Sequence, residues 1–303
     1  MNYNYRVTAF YRFAVLAEES LSLLKLDLTD FAKREGVLGL VLLGKEGING
    51  TVAGPEQGIW NFKAKLRTIN GFEELEFKDS ESEVRPFRRF KVDIRPEIVT
   101  LKKNVASPIH KDPTHLSPEE WQAVIDSTDE FLMIDVRNEY ETAIGKFEGA
   151  VDPKLQKFSD FPKFLEEQAI PKDKKVLMYC TGGIRCEKAL HEMKQRGFES
   201  VFQLDGGILK YLEVFPHRSF EGECFVFDHR VSVDQQLQPS KQYKLCPHCG
   251  NPGDKIIICR ECNSSAVVCV KCFCEESNRT CSKNCAHHSK RKTQLQVPAE
   301  KVS

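Results

Sequence analysis

Residues 175–188 read Lys175-Val176-Leu177-Met178-Tyr179-Cys180-Thr181-Gly182-Gly183-Ile184-Arg185-Cys186-Glu187-Lys188. A short apolar run stops at a cysteine, a glycine-rich turn follows, and a helical pattern begins. A buried strand that feeds a helix through such a turn is the repeating unit of a parallel α/β sheet. Ligands of these sheets bind beyond the carboxyl ends of the strands, which is where Cys180 falls. Thr181, Gly182 and Gly183 let the backbone curl so that successive N–H groups point inward. Ile184 then opens a helix whose N-terminus adds positive potential, and Arg185 adds a fixed positive charge. Together these favour thiolate over thiol. The stretch therefore predicts a depressed pKa and a nucleophilic role for Cys180, with Arg185 as its electrostatic partner. The plainer alternative is a buried cysteine ahead of a tight turn. Cys186, one turn into the helix, is either a resolving thiol or a small residue packing helix on sheet; packing is the expectation.

The alternation of strand and helix extends on both sides. Ser117-Pro118-Glu119-Glu120 is a helix start, with an N-cap serine, proline in the first turn and acids behind it. Phe131–Val136, Lys175–Tyr179 and Val201–Leu204 read as buried strands, and Cys186–Arg196 as a helix stopped by Gly197. Residues 117–220 are thus expected to form a parallel-sheet catalytic domain. Asp135 and Arg137 end a strand at the same edge of the sheet and are candidates for the pocket. Upstream, Arg6–Phe13, Glu18–Arg34, Val37–Leu43, Ile48–Val52, Gln57–Ile69 and Glu74–Lys78 give the order β-α-β-β-α-β, with Phe90–Ile94 as further strand material. This order predicts a ferredoxin-like domain over residues 1–105. Trp60, Phe62, Leu66 and Ile69 are placed on or near one helix face. Residues 106–116, with prolines and alternating charges, read as a linker.

Composition narrows the class. A chain of 303 residues can bury cores without disulfides, and its net charge of zero argues neither for nor against nucleic acid. The N-terminal residues lack a signal-peptide pattern, and no apolar run approaches the roughly 20 residues of a membrane helix. A soluble cytoplasmic protein without membrane association is expected. Of the 12 cysteines none precedes Cys180, and nine fall between Cys246 and Cys285. Dense C-x-x-C pairs in such a chain point to metal rather than disulfides.

Cys246, Cys249, Cys259 and Cys262 make one four-thiolate pattern, and Cys269, Cys272, Cys281 and Cys285 another. Such sets suit tetrahedral zinc in a structural role. The spacing allows each set to bind one ion in order, or the pairs to alternate between two ions. An iron–sulfur cluster ranks below zinc. Residues 221–288 are accordingly read as a Cys-rich metal-binding domain and 289–303 as a disordered polar tail. Between Arg85 and Lys103 basic residues outnumber acids and phenylalanines interleave. Arg85, Arg88, Arg89, Lys91 and Arg95, with Lys45 on a glycine-flexible turn, are candidate RNA contacts. The alternative is an ordinary charged strand face with Phe90 turned into the core.

Several motifs together resemble a known family. Cys180 to Arg185 is similar to the six-residue active-site loop of rhodanese domains, while Asp135-Val136-Arg137 and Asp205-Gly206-Gly207-Ile208 resemble two further rhodanese signatures. Protein tyrosine phosphatases carry one more residue between cysteine and arginine, so the shorter loop suits a sulfur-sized anion. Gly44-Lys45-Glu46-Gly47-Ile48-Asn49-Gly50-Thr51, Phe90-Lys91-Val92 and Glu97-Ile98-Val99-Thr100-Leu101 extend the likeness to the rhodanese-containing tRNA uridine hydroxylases, over roughly residues 5–250. The resemblance implies an oxidoreductase of tRNA processing that converts wobble uridine to 5-hydroxyuridine. It implies tRNA as partner, molecular oxygen as co-substrate, and Cys180 as the catalytic position, working as thiolate or cysteine persulfide. No flavin or haem signature is evident, so no organic cofactor is expected. Two other functions stay open: a persulfide-carrying sulfurtransferase, and a non-enzymatic RNA- or protein-binding adaptor. The Cys density after Cys262 departs from the family pattern, so the metal assignment rests on the spacing alone.

Overall fold

A computed structural model describes residues 5–102 and 114–295, with side chains described up to Ser289. The expected linker falls largely on residues outside this range. The chain divides after Pro239 into two compact units.

The first unit opens with β1 (Tyr5–Phe13), α1 (Glu18–Arg34), β2 (Leu38–Gly44), β3 (Gly47–Gly54), α2 (Glu56–Arg67), β4 (Phe77–Ser82) and β5 (Phe90–Ile94). Their sheet has the order β4-β1-β3-β2-β5, with β5 parallel to β2 and the other pairs antiparallel. Strand alternation sorts the side chains. Phe10, Val41, Leu43, Ile48 and Val52 pack with Leu28, Phe62 and Leu66 of the helices. Phe90 joins this core, edge-on to Phe62 at 5.7 Å. Trp60 does not: it is 65% exposed, because the buried positions of α2 are Ile59, Phe62 and Leu66, and Trp60 sits about 100° round the helix from Ile59. The opposite sheet face, carrying Tyr11, Leu40, Leu42, Asn49, Thr51 and Lys78, borders a cavity.

The second sheet and the elements around it are β6 (His115–Leu116), α3 (Pro118–Asp126), β7 (Leu132–Asp135), α4 (Glu139–Thr142), β8 (Gly145–Phe147), α5 (Phe161–Glu167), β9 (Val176–Tyr179), α6 (Ile184–Gln195), β10 (Val201–Leu204) and α7 (Gly207–Val214). Its strands run parallel in the order β6-β10-β9-β7. β9 is buried throughout and feeds two layers. Val176 and Met178 pack with Phe161, Leu165, Ala189 and Met193, whereas Leu177 and Tyr179 pack with Trp121, Ile208 and Tyr211. The predicted start of α3 is a full capping box: Ser117 Oγ accepts from Glu120 N at 3.2 Å, and Glu120 Oε2 accepts from Ser117 N at 2.8 Å. The following strands, β11 (Phe220–Gly222), β12 (Cys224–Phe225) and β13 (Ser232–Val233), pack on this unit. β11 pairs with β8, and Cys224, Val226 and Val233 join the Trp121 cluster.

Two consecutive residues of α6 fasten the sheets together. Glu187 accepts from the Tyr11 hydroxyl at 2.9 Å. Lys188, 1% exposed, donates to Glu46 at 2.9 Å and to Glu97 at 2.7 Å. Those carboxylates also accept from the backbone N–H groups of Ile98, Leu101 and Lys102, which fixes the segment after β5.

The second unit contains two short antiparallel pairs, β14 (Lys244–Leu245) with β15 (Pro252–Gly253) and β16 (Lys255–Ile258) with β17 (Ser265–Val268). α8 (Val270–Cys274) and α9 (Lys283–Leu295) follow. Its core is small: Ile257 and Val268 among Cys246, Cys269 and Cys272. The expected disorder from residue 289 is corrected over 289–295, where α9 continues. Its first turn carries Cys285 of a thiol cluster, which anchors that end of the helix. No helix among the described residues is long and apolar enough to cross a membrane.

Candidate active site and thiol clusters

The apolar run of β9 delivers Cys180 to the sheet edge, and four residues later the chain is helical. Gly183 makes the reversal, at φ +100°, and a Cβ there would meet the Tyr11 hydroxyl at 2.8 Å. Gly182 does something different from its expected part in the curl. Its φ is not positive, and a Cβ there would meet nothing within 4 Å, so it leaves room. The loop carbonyls turn outward: Cys180 O and Thr181 O accept from Ile208 N and Leu209 N of α7 at 3.0 and 3.1 Å. Gly207, at φ +67°, lies so close that a Cβ would come within 2.5 Å of Cys180 O. With the carbonyls tied down, the Gly183 N–H donates to Cys180 Sγ at 3.1 Å.

Cys180 is 1% exposed. Burial alone raises a thiol pKa. Here it is outweighed by a hydrogen bond from the Cys186 thiol, by the Arg185 charge and by the N–H groups of Arg185 and Cys186, and the pKa is pulled down to about 5. Cys186 is raised well above the ordinary thiol value, by burial first and then by its contact with Cys180, so it stays a protonated donor. It packs in the apolar layer and also bonds the Cys180 sulfur.

Arg185 is not the free cation the sequence suggests. Its two terminal nitrogens donate to the Glu141 carboxylate at 2.6 and 2.7 Å, and one reaches Thr181 Oγ1 at 3.3 Å. Glu141 is fully buried. The pair is bidentate and nearly neutral, and it holds the loop to α4. Sequence reasoning missed Glu141. The available signal was Asn138-x-x-Glu141, a capping box in which Glu141 Oε2 accepts from Asn138 N at 3.1 Å. Asp135 and Arg137, expected as pocket candidates, are fully buried and do not line the cavity. Arg137 donates to Asp135 at 2.6 Å and to Gly145 O at 2.6 Å, tying β7 to β8. A strand-end acid and a nearby guanidinium satisfy each other sooner than they face water.

The cavity over Cys180 has a volume of about 650 Å³. Its floor is the Cys180 loop. One wall is the helix-free face of the first sheet, and Phe227, Asp228 and Arg230 close another side. Phe227 lies over the Arg185 guanidinium at 5.8 Å and is 57% exposed. Of the six RNA-contact candidates only Arg95 lines this cavity. Lys45 pairs with Glu18, Lys91 bonds Asp93 at 2.8 Å, and Arg85 bonds its own loop at Phe87 O and Arg88 O. Arg88 and Arg89 are exposed.

In the second unit the eight predicted ligand cysteines form two groups whose sulfurs lie within 4.8 Å of one another. One holds Cys246, Cys249, Cys269 and Cys272, the other Cys259, Cys262, Cys281 and Cys285. The pairs alternate, which resolves what spacing left open. Each group could hold a metal ion.

The fold and this loop define a rhodanese-type thiol protein joined to an acylphosphatase-like domain. Family models match in three blocks: "UPF0176 acylphosphatase like domain" over residues 5–98, "Rhodanese-like domain" over 117–213 and "Rhodanase C-terminal" over 221–286. A tRNA uridine(34) hydroxylase of Bdellovibrio bacteriovorus is 48% identical, over 98% of this chain and 86% of its own length. Relatives of the same name from a Synechococcus strain and from Rhizobium etli are each 43% identical, over 82% and 88% of this chain and 84% and 86% of theirs. The chain belongs to the tRNA uridine(34) hydroxylase family.

Proposed function

We propose that this protein hydroxylates C5 of the wobble uridine of tRNA, and that Cys180 attacks the base. The observation that carries the mechanism is a sulfur held as thiolate at the floor of a cavity of about 650 Å³, within the size range of small-ligand sites. The wobble base lies in a single-stranded loop and can be turned out into such a cavity at modest cost. Uracil C5 is inert until a nucleophile adds at C6. Attack by Cys180 forms an S–C6 bond and moves the C5–C6 electron pair toward O4. The resulting enolate is nucleophilic at C5 and takes one oxygen atom from an oxidant; loss of the C5 proton, with expulsion of the thiolate from C6, then restores the C5–C6 double bond. Molecular oxygen is the proposed oxidant: one atom goes to C5, and the other leaves as water after taking two electrons and two protons from an external two-electron donor. Arg185, neutralised by Glu141, positions the loop and supports the thiolate rather than contacting substrate. A persulfide on Cys180 would sit in the same nest of N–H groups, and this keeps sulfur transfer as the second reading.

The two four-cysteine groups fit zinc. Sulfur–sulfur separations of 3.5 Å for Cys249–Cys269, 3.5 Å for Cys262–Cys281 and 3.9 Å for Cys262–Cys285 are close to the edge of a tetrahedron with metal–sulfur bonds of about 2.3 Å. Four thiolates leave no open position, so zinc there would hold the small domain together. A tRNA substrate places the protein inside the cell.

The test is mass spectrometry of tRNA nucleosides from cells lacking the protein, rescued with wild type or Cys180→Ala. Loss of 5-hydroxyuridine that only wild type restores is expected, with the label from ¹⁸O₂ and not from water entering C5. Unchanged nucleosides in the deletion strain, with thiosulfate–cyanide sulfur transfer by the purified protein, would move sulfur transfer to the front.

A further inference from the structure

Of the six cations among the described residues that line the cavity, three are matched by carboxylates, and two of the lysines, Lys102 and Lys157, are exposed to solvent. Arg185 is held by Glu141, Arg230 by Asp228 at 2.6 Å, and Arg95 by Asp93 at 3.2 Å. Lys78 is different. It projects from β4 onto the helix-free face of the first sheet and lines the cavity together with Cys180. Its register partner on β1 is the small Ala9, which leaves the space above Tyr11 open. The ammonium lies over the Tyr11 ring, 5.0 Å from its centroid. Among the described residues no carboxylate comes within ion-pair distance of Lys78; Glu76, Asp205 and Glu213 act on it only at longer range. Tyr11 is itself fixed by its bond to Glu187 and sits against Gly183 of the thiol loop. One aromatic ring therefore separates an unmatched ammonium from the nest of the thiolate. A part-buried cation keeps its charge at a cost when it meets no anion, and burial lowers the Lys78 pKa although Cys180 works in the opposite sense.

We propose that Lys78 is a further catalytic residue, and that it donates a hydrogen bond to uracil O4 as Cys180 adds at C6. The inference rests on the hydroxylase reading above. In the step assigned to Lys78 the S–C6 bond forms, the C5–C6 pair moves through C4 to O4, and the ammonium stabilises that oxygen. When C5 takes its oxygen the pair forms the C5–O bond and O4 is a carbonyl again, before loss of the C5 proton expels the thiolate. No oxidant enters the addition step assigned to Lys78. Lys78 is the donor placed for it because Arg185, the obvious electrostatic partner in the loop, has both terminal nitrogens committed to Glu141. The oxygen needs its donor only once charge develops, so the contribution falls mainly on rate and little on binding.

The experiment uses the full chain with an anticodon stem-loop RNA bearing 5-fluorouridine at the wobble position. Fluorine at C5 slows breakdown of the C6 adduct, which is then counted by denaturing gel and mass spectrometry. Wild type is expected to form a Cys180 adduct. Lys78→Met is expected to form it 100- to 1000-fold more slowly, the range for loss of one oxyanion donor. Its stem-loop Kd is expected to stay within about twofold of wild type, and Lys78→Arg to recover part of the rate. Melting curves of Lys78→Met and Lys78→Gln establish that both variants are folded. Equal adduct rates in wild type and Lys78→Met overturn the role of Lys78 and leave the hydroxylase reading standing. Weaker binding with an unchanged adduct rate, and a salt dependence shallower by about one contact, makes Lys78 a phosphate ligand and also overturns it. A wild type that forms no adduct overturns the covalent mechanism and Lys78's part with it.

Discussion

Cys186→Ala isolates one cause of the ionised state of Cys180. The pKa of about 5, against an ordinary 9.0, corresponds to about 5 kcal/mol in favour of the charged form. At pH 7 it makes the sulfur about 99% thiolate. A hydrogen bond to a charged group contributes about 1.5–3 kcal/mol, and a thiol, as a weak donor, belongs at the lower end. Removing the Cys186 thiol should therefore raise the Cys180 pKa roughly tenfold in proton affinity, to near 6. The Arg185 charge and the Gly183 N–H remain. The assay is iodoacetamide alkylation of Cys180 as a function of pH, read on its own peptide by mass spectrometry. Half-maximal rate near pH 5 for wild type and near pH 6 for Cys186→Ala is expected, with little change at pH 7. Identical profiles, or a wild-type midpoint at pH 8 or above, would refute the account. The sign for stability follows from a depressed acid: the contribution is complete above the unfolded thiol pKa, about 2–3 kcal/mol remains at pH 7, and it is lost as pH falls through about 5.

Gly207→Ala combines a left-handed φ with a Cβ 2.5 Å from Cys180 O, so it should cost about 1–3 kcal/mol and displace the loop. Adduct formation should fall at least tenfold, and a normal rate would show that the loop can move aside. Lys188→Met strips a buried ammonium from Glu46 and Glu97, for a loss of about 3–5 kcal/mol, seen as a lower melting temperature. In wild type Glu97 is held below its usual pKa: burial opposes this, and the Lys188 hydrogen bond and the Leu101 N–H outweigh it. The stability it contributes is present above the ordinary carboxylate pKa and lost as pH falls through the lower folded value, a dependence that Lys188→Met should weaken. Glu141→Gln leaves Arg185 buried beside a neutral amide, and a cost of about 3 kcal/mol with slower alkylation of Cys180 is expected. Elemental analysis should find two metal ions per chain, and Cys249→Ser should lower that number; a metal-free wild type would remove zinc from the account.

How far the sequence reached depended on the range of the interaction. β9, the thiol loop and α6 are contiguous, and a change from strand to helical periodicity across one glycine turn is a local signal. The order β-α-β-β-α-β was readable for the same reason. Trp60 misled because a window of large apolar residues does not say which of two neighbours faces inward; Ile59 does. Glu141 and Tyr11 reach the Cys180 loop, and Lys78 reaches the cavity above it, from other elements, and no spacing within the chain announces which strand face will border it. The charge run from Arg85 to Arg95 was real as composition, but charge density alone does not place a side chain in a cavity. The thiol clusters were found by spacing, while their partition depended on how two hairpins fold back on each other.

That partition has a consequence for how the second unit is made and lost. The Cys259–Cys262 turn lies in the chain between the two halves of the first cluster, and Cys269–Cys272 lies between the two halves of the second. During synthesis neither site can close on its own stretch. The first is complete only once Cys272 has emerged, with half of the other already threaded inside its loop. With a metal ion in each cluster, as proposed, the logic of dissociation reverses: release of either ion would free a loop that carries two ligands of the other. Occupancy should then behave as a single cooperative step, so chelators should meet a domain that resists and then fails as a whole, with little singly loaded protein in between.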